Sequence, residues 1–273
     1  MWDWIEPLMP ADPVRGRRWA DHRRTLEAIA WKYRTNSPWR DLSDELGSFQ
    51  TAHKRLIRWA VDGTRAMILA AVLAAADADD DIDWTVSMDS TVVRAHQHAA
   101  GALKRGRPTA ASADHALGRS RGGLSRKVHL AADGRARPLA LTVTAGQAGD
   151  APAFETVMPR IRVPRTGPGR PRTLAVLADR AYSSRAIRAH LRRRGIRAVI
   201  AQPSDQVGHR QRRGRQGGRP PGFDREAYKQ RNTVERCINR LKQWRGLATR
   251  TDKLAIAYQT ALHLAGILIW TRR

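Results

Sequence analysis

Acid is scarce in this 273-residue chain: 25 Asp and Glu stand against 50 Lys and Arg, giving a formal charge of +25 and a pI near 11.6. Lysine is scarcer still, supplying seven of those 50 cations and leaving 43 to arginine. Such an excess opposes compaction by self-repulsion unless a polyanion offsets it, and guanidinium groups suit bidentate contact with phosphate. Nucleic acid is therefore the first partner the composition implies. An Arg-rich coding bias adds to the excess, but by itself would not leave acids so few. Cysteine is confined to Cys237, which excludes a disulfide framework and a Cys-based zinc site. On the apolar side of a helix, that thiol behaves as a small core hydrophobe. The start, "MWDWIEPLMP", lacks the basic region and apolar run of a signal peptide. Near the other end, "LAIAYQTALHLAGILIW" is interrupted by Gln259, Thr260 and His263. It is shorter than a bilayer requires and reads as a buried core helix, so the expectation is a soluble cytoplasmic protein.

Residues 1–76 read as a helical, Trp-rich leader domain. "DHRRTLEAIAWKYRT" carries Leu26, Ile29, Ala30 and Tyr33 at helical spacing, and Pro38 in "TNSPWRDL" breaks the pattern. "GSFQTAHKRLIRWAVDGT" starts at Ser48 and ends at Gly63. The two segments resemble a helix-turn-helix whose Lys54, Arg55 and Arg58 would meet phosphates or base edges. An amphipathic surface helix is the plainer reading of the same residues. "DADDDID", residues 77–83, reads as an acidic linker, with a second domain over 84–273.

From residue 84 the periodicity changes. "WTVSMDSTVV" alternates as a strand, with Trp84, Val86 and Met88 on one face and Ser87 and Asp89 on the other. A long polar loop follows. "SRKVHLAADGRARPLALTVTAG" reads as a hairpin around Asp133-Gly134, then a helix near 151–161. "TLAVLADR" is a short strand ending in Asp179; a helix and the strand "IRAVI" come next. "PSDQVGHRQRRGRQGGRPPG" reads as an Arg/Gly/Pro loop unable to build a core, and two helices close the chain. Strands alternating with helices late but not early predict an α/β fold, a mixed sheet with helices on both faces.

"YKQRNTVERCINRLKQW", residues 228–244, is helical in density. At about 100° per residue Tyr228, Arg231, Glu235 and Lys242 share an arc of about 60°, beside an apolar stripe of Val234, Cys237, Ile238 and Leu241. A lone carboxylate between an Arg and a Lys is unusual in so basic a chain. Asp89 and Asp179 lie 90 and 56 residues from their neighbours in the series Asp89, Asp179, Glu235, so only folding could gather the three. Clustered carboxylates repel unless cations sit among them, and oxygen-only ligation suits Mg²⁺ or Mn²⁺. Two such ions about 3.5–4 Å apart can clamp an in-line phosphoryl displacement. Taken singly, each acid reads equally well as a turn or capping carboxylate. His96 and His98 form an H-x-H pair that reads as a loop or DNA-facing feature. The stretches "KRGRP" (104–108) and "GGRPPG" (217–222) read as coincidences of composition.

The series Tyr228, Arg231, Glu235, Lys242 fits Y-x2-R-x3-E-x6-K, and so resembles the signature of DDE transposases of bacterial insertion sequences in the family-4 and family-5 groups. "MDSTVVRAHQHAAG", "GGLSRKVHLAADGRARPL", "LADRAYSSRAIR" and "RNTVERCINRLKQWRGLATR" are similar as well, and "SPWRDLSDELGSFQTAHKRLIRWAVDGT" is similar to the leader of the family-5 group. Arg180 stands where Lys is more usual. The resemblance implies an RNase H-like catalytic domain in which Asp89, Asp179 and Glu235 hold two Mg²⁺, or Mn²⁺. It implies cleavage at transposon terminal inverted repeats and strand transfer into target DNA. Tyr228, Arg231, Lys242 and the leader's Lys54, Arg55 and Arg58 would contact that DNA. Double-stranded DNA and a second copy of the chain are the implied partners, at the nucleoid, with no membrane and no small-molecule substrate. The alternative is a DNA-binding regulator that no longer cuts.

Overall fold

Asp21 starts the first long helix by accepting the Arg24 amide at 2.5 Å, and Asn36, with φ +60°, ends it. The computed structural model describes residues 2–16, 18–100, 116–120, 122–165 and 173–272. The leader is helical, comprising α1 (Trp2–Ile5), α2 (His22–Thr35), α3 (Phe49–Val61) and α4 (Thr64–Ala78). The connection between α2 and α3 differs from the short turn the sequence suggests. It occupies residues 36–48 and buckles into two 3-10 turns, Trp39–Asp41 and Asp44–Leu46. Arg24 of α2 holds it down, donating 2.5 Å hydrogen bonds to the carbonyls of Asp44 and Glu45. The tight turn lies one helix later, where α3 and α4 meet at 70° through Asp62 and Gly63. Gly63 has φ +76°, a backbone conformation glycine adopts without strain.

The expected alternation builds β1 (Thr85–Ala95), the central strand. After the short α5 (Gln97–Ala100) come β2 (Gly118–Ser120), β3 (Gly123–Ala132) and β4 (Pro138–Ala145). β2 stands where the sequence reads as loop, because three polar residues carry no alternation to detect; KRGRP lies outside the described residues. Then follow α6 (Asp150–Val157), β5 (Ala175–Ala178), α7 (Arg185–Arg193), β6 (Arg197–Ile200), α8 (Ser204–Arg212), α9 (Arg225–Lys229), α10 (Asn232–Lys242), α11 (Arg245–Ala248), β7 (Thr249–Arg250) and α12 (Ala255–Trp270). β3 runs antiparallel to β1 and β4, whereas β5 pairs parallel with β1 and β6 parallel with β5. This is the mixed α/β sheet predicted, with α10 and α12 on one face and α6 and α7 on the other. α8 corrects the sequence reading: "SDQVGHRQR" is helical, although it buries no residue.

α12 is buried along most of its length and touches α2, α3, α4 and β4, so leader and sheet share one hydrophobic core. No single helix among the described residues is long and apolar enough to cross a membrane. The acidic segment that begins in the last turn of α4 is fastened by arginine. Asp77 accepts the Trp84 indole N–H at 3.0 Å and pairs with Arg165. Arg137 bonds Asp81 and Asp133 at 2.7 Å each, and its guanidinium lies 3.8 Å from the Trp270 ring centroid. Asp133 is fully buried, and burial raises its pKa while the bonds from Arg137 oppose the shift. Removing the partner of a buried charge costs about 3–5 kcal/mol. Arg137→Ala is therefore expected to lose stability on that scale in urea unfolding, far more than an exposed substitution such as Arg193→Ala.

Candidate active site

Register brings Asp89 and Asp179 to one end of the sheet, and Glu235 lies near enough for its charge to act on Asp89. β1 and β5 run side by side in parallel, with Met88 opposite Ala178, so Asp89 and Asp179 are the next residues on adjacent strands. Glu235 comes from α10, whose buried stripe of Val234, Cys237, Ile238 and Leu241 seats the helix on the sheet as its periodicity predicts. A second fastening lies two residues from two of the acids: the Thr233 hydroxyl donates to the Ser87 oxygen at 2.8 Å, where both are buried. Ser87 and Asp89 share one face of β1, so this bond sets how α10 presents Glu235.

Arg231 joins the acids. Its Nη1 donates to Asp89 Oδ2 at 3.2 Å and its Nη2 to Glu235 Oε1 at 2.5 Å. Asp89 Oδ1 accepts the Ser90 amide at 2.7 Å, and Asp179 Oδ1 accepts the Ala181 amide at 2.9 Å, capping the 3-10 turn Arg180–Tyr182. Desolvation raises the Asp89 pKa, and the charges of Asp179 and Glu235 raise it further against the Ser90 amide and Arg231. Desolvation works to lower the Arg231 pKa, but Glu235 and Asp89 together outweigh it and hold the guanidinium above its ordinary value.

Among the described residues no three His, Cys, Asp or Glu side chains lie close enough together to share a metal ion. The donor set nevertheless fits a hard divalent cation. All three groups are carboxylates, Asp89 is disfavoured as an anion by its two neighbours, and a cation, the Arg231 guanidinium, already bridges two of them. His96 and His98 stack edge to face at 4.5 Å, with no third ligand among the described residues.

Two of the predicted DNA contacts are placed differently. Arg55 is buried: its guanidinium lies 4.0 Å from the Trp19 ring centroid and bonds His22 Nδ1 at 2.9 Å. It cannot present itself to a groove, because Trp19 folds over it. Lys54 and Arg58 are exposed, although Arg58 also stacks on Trp19. Tyr228 is not on the helix of Glu235. Bonds from the Arg231 amide to the Tyr228 carbonyl, and from Thr233 to Gln230, tighten the chain between α9 and α10 and void the shared arc. The Tyr228 ring packs on Ala175, Leu177 and Val199, against Phe223. Lys242, half-buried, stands at the far end of α10 beside Thr91 and Val93.

A polar cluster on the opposite sheet face escaped the sequence reading. Asp150 Oδ1 accepts the Ser90 hydroxyl at 2.6 Å and Lys127 Nζ at 3.1 Å. Beside it the buried His129 ring bonds the Thr144 hydroxyl at 2.8 Å, with burial holding its pKa near 4 and the ring neutral. Tyr182, also buried, feels the charges of Asp150, Asp89 and Asp179 together. The signal was present as Lys127 and His129, two residues apart on one face of a strand, but alternation alone does not say what stands opposite.

Comparison with known proteins identifies the family. Residues 81–270 match the family "Transposase DDE domain", and residues 1–69 match "Putative transposase of IS4/5 family". The chain is 37% identical over 105 residues to "Uncharacterized protein y4sN" of Sinorhizobium fredii, a stretch covering 38% of this chain and 79% of that one. It is 28% identical over 149 residues to "Putative transposase for insertion sequence element IS6501" of Brucella ovis, covering 55% of this chain and all of that one, 100%. Among solved structures it aligns with "Crystal structure of a pre-cleavage Mos1 transpososome" at 12% identity, over 88% of this chain and 81% of that one, with a TM-score of 0.27 that carries no argument.

A carboxylate whose pKa is raised by folding destabilises the native state once pH exceeds its unfolded pKa, and Asp89 is such a group. Asp89→Asn is therefore expected to raise the thermal midpoint at pH 7. The gap from the parent chain should close as pH falls toward 4, where a proton neutralises Asp89 itself. Melts across that pH range check the sign; a midpoint lowered by the substitution at pH 7 contradicts it.

Proposed function

The chain belongs to the transposase DDE-domain family, and from that premise we propose that it is a DNA transposase. It hydrolyses a phosphodiester at each end of a mobile element and joins the freed 3′-hydroxyl to target DNA. The observation that carries this reading is the convergence of Asp89 and Asp179, from adjacent parallel strands, with Glu235, which Arg231 ties to Asp89. Members of this family generally use divalent metal ions, and Asp89, Asp179 and Glu235 are the residues that would hold two Mg²⁺ or Mn²⁺ here. Bound there, such ions supply charge neutralisation at the phosphoryl group and acidify an attacking hydroxyl.

The protein's own groups do the rest. Arg231 spans two carboxylates, and its donors turn to phosphate oxygens when a strand enters, since a guanidinium fork matches either anion. Lys242 adds positive charge beyond Glu235 on the same helix. Ser87 and Thr233 hold α10 on β1, so Glu235 keeps its place as charge develops. Lys54 and Arg58 are the leader's exposed contacts to terminal-repeat DNA, and Arg55 supports them from beneath through Trp19. The ring of Tyr228 lies 6.0 Å from the Arg231 guanidinium and positions it. Two ends must be brought together, so the working unit is a homodimer on DNA, in the cytoplasm at the nucleoid.

The test is strand cleavage and strand transfer on duplexes carrying the inverted repeats that flank the gene, with and without Mg²⁺. Asp89→Ala, Asp179→Ala and Glu235→Ala should each reduce cleavage by about 10²–10³-fold or more, the scale for removing a group aimed at developing charge, while still binding the duplex. Cleavage retained in any of them removes that residue from the set. Binding without cleavage in the parent chain would identify a regulator instead.

A further inference from the structure

Arginine is most crowded far from the leader. Residues 185–225 contain twelve arginines and only two acids, Asp205 and Asp224. Of the twelve, only Arg197 has a carboxylate partner among the described residues, Asp224 at 3.2 Å. This stretch forms α7, the edge strand β6, α8 and the segment leading to α9, at the end of the sheet opposite β4, against which α12 packs.

Two features distinguish this band from a merely solvated face. First, α7 is amphipathic with a sorted polar side: Ile187 and Leu191 are buried, whereas Arg185, Arg188 and Arg192 follow i, i+3, i+7 and so line one face over about 10 Å. Arg188 is locked in place by donating to the Ile200 carbonyl at 2.8 Å and the Ser183 hydroxyl at 3.3 Å. Across from it, Arg219, Pro220, Pro221 and Gly222 complete a groove of about 600 Å³ with Arg188 and Arg192. Secondly, α8 buries nothing and is nine residues long. A helix that short has little stability of its own, and its Arg210 and Arg212 have no ion-pair partner among the described residues. External anionic charge is what such a structure would gain from.

We propose that this β6-edge band, with the Arg188–Arg192–Arg219 groove at its centre, is a second track for the phosphate backbone of duplex DNA, distinct from the leader. It rests on the proposed function and deepens it. The Arg185–Arg192 stripe begins six residues after Asp179, directly beyond the 3-10 turn which that residue caps. A duplex with its scissile phosphate at the acids would reach the stripe first at its Arg185 end, while the leader holds DNA on the other side. The spacing suits a polymer and not a single phosphate, because a duplex presents one charge per about 1.7 Å of axis along the whole stripe.

The experiment is equilibrium binding of a labelled duplex of about 40 base pairs to the full chain over a range of salt, in EDTA, so that it reads the band whether or not the chain cuts DNA. For Arg185→Gln/Arg192→Gln/Arg219→Gln the slope of log K against log salt should fall by about 2–3, near 0.9 for each phosphate that is no longer neutralised. The corresponding triple Lys variant, which keeps the charges, should retain most of the slope. A hydroxyl-radical footprint of the Gln variant should shorten on one side of the site only, and Lys54→Gln/Arg58→Gln should shorten the other. A Gln variant with the parent's slope and footprint overturns the proposal. So does an equal fall in the Lys variant, which would signal a folding defect instead of weaker phosphate pairing.

Discussion

A guanidinium held between two carboxylates is the contact on which the site depends. Burial and the charges of Asp179 and Glu235 raise the cost of ionising Asp89, and Arg231 bridges Asp89 and Glu235. The backbone makes the crowding unavoidable. Parallel pairing of β1 and β5 sets two aspartates on neighbouring strands, and the buried Thr233–Ser87 bond fixes α10 above them. The fold thus stores electrostatic strain at one end of the sheet. Positive charge brought to that place would relieve the strain.

With so few acids available, the protein places much of its interior arginine against aromatic faces. Arg55 lies on Trp19, Arg65 on Trp59, Arg126 on Tyr258 and Arg137 on Trp270. Arg65 and Arg126 are buried with no hydrogen-bond partner for the guanidinium among the described residues, and burial draws both pKa values down to about 9. Ring quadrupoles attract a cation without the charge of a carboxylate. Trp19, Trp59 and Trp270 therefore do electrostatic as well as packing work.

Legibility in the sequence followed burial. The central strand, the Asp133-Gly134 hairpin and the apolar stripe of α10 could be read because one face of each meets the core, and that face imposes a period on the residues. α8 could not, since a helix that buries nothing has no period to display. The break between α9 and α10 was equally hidden: Gln230 and Arg231 are compatible with a continuous helix, and only the packing of Tyr228 on β5 and β6 and of Val234 in the core sets the bend. Arg55 was misjudged for a related reason, because helical spacing put it beside exposed Lys54 and Arg58 while the residue that covers it, Trp19, comes 36 positions earlier.

The mixed α/β pattern of the larger elements and the excess of positive charge could be read from the residues themselves, because periodicity and composition are properties of a chain read in one dimension. Which carboxylate faces which cation could not. That depended on strand register, a helix bend and one buried hydroxyl pair, each of which joins residues scores of positions apart. Charge–charge forces act through space, so the same acids could have stood far apart, and only the packed sheet decided that Asp179 and Glu235 would act on Asp89.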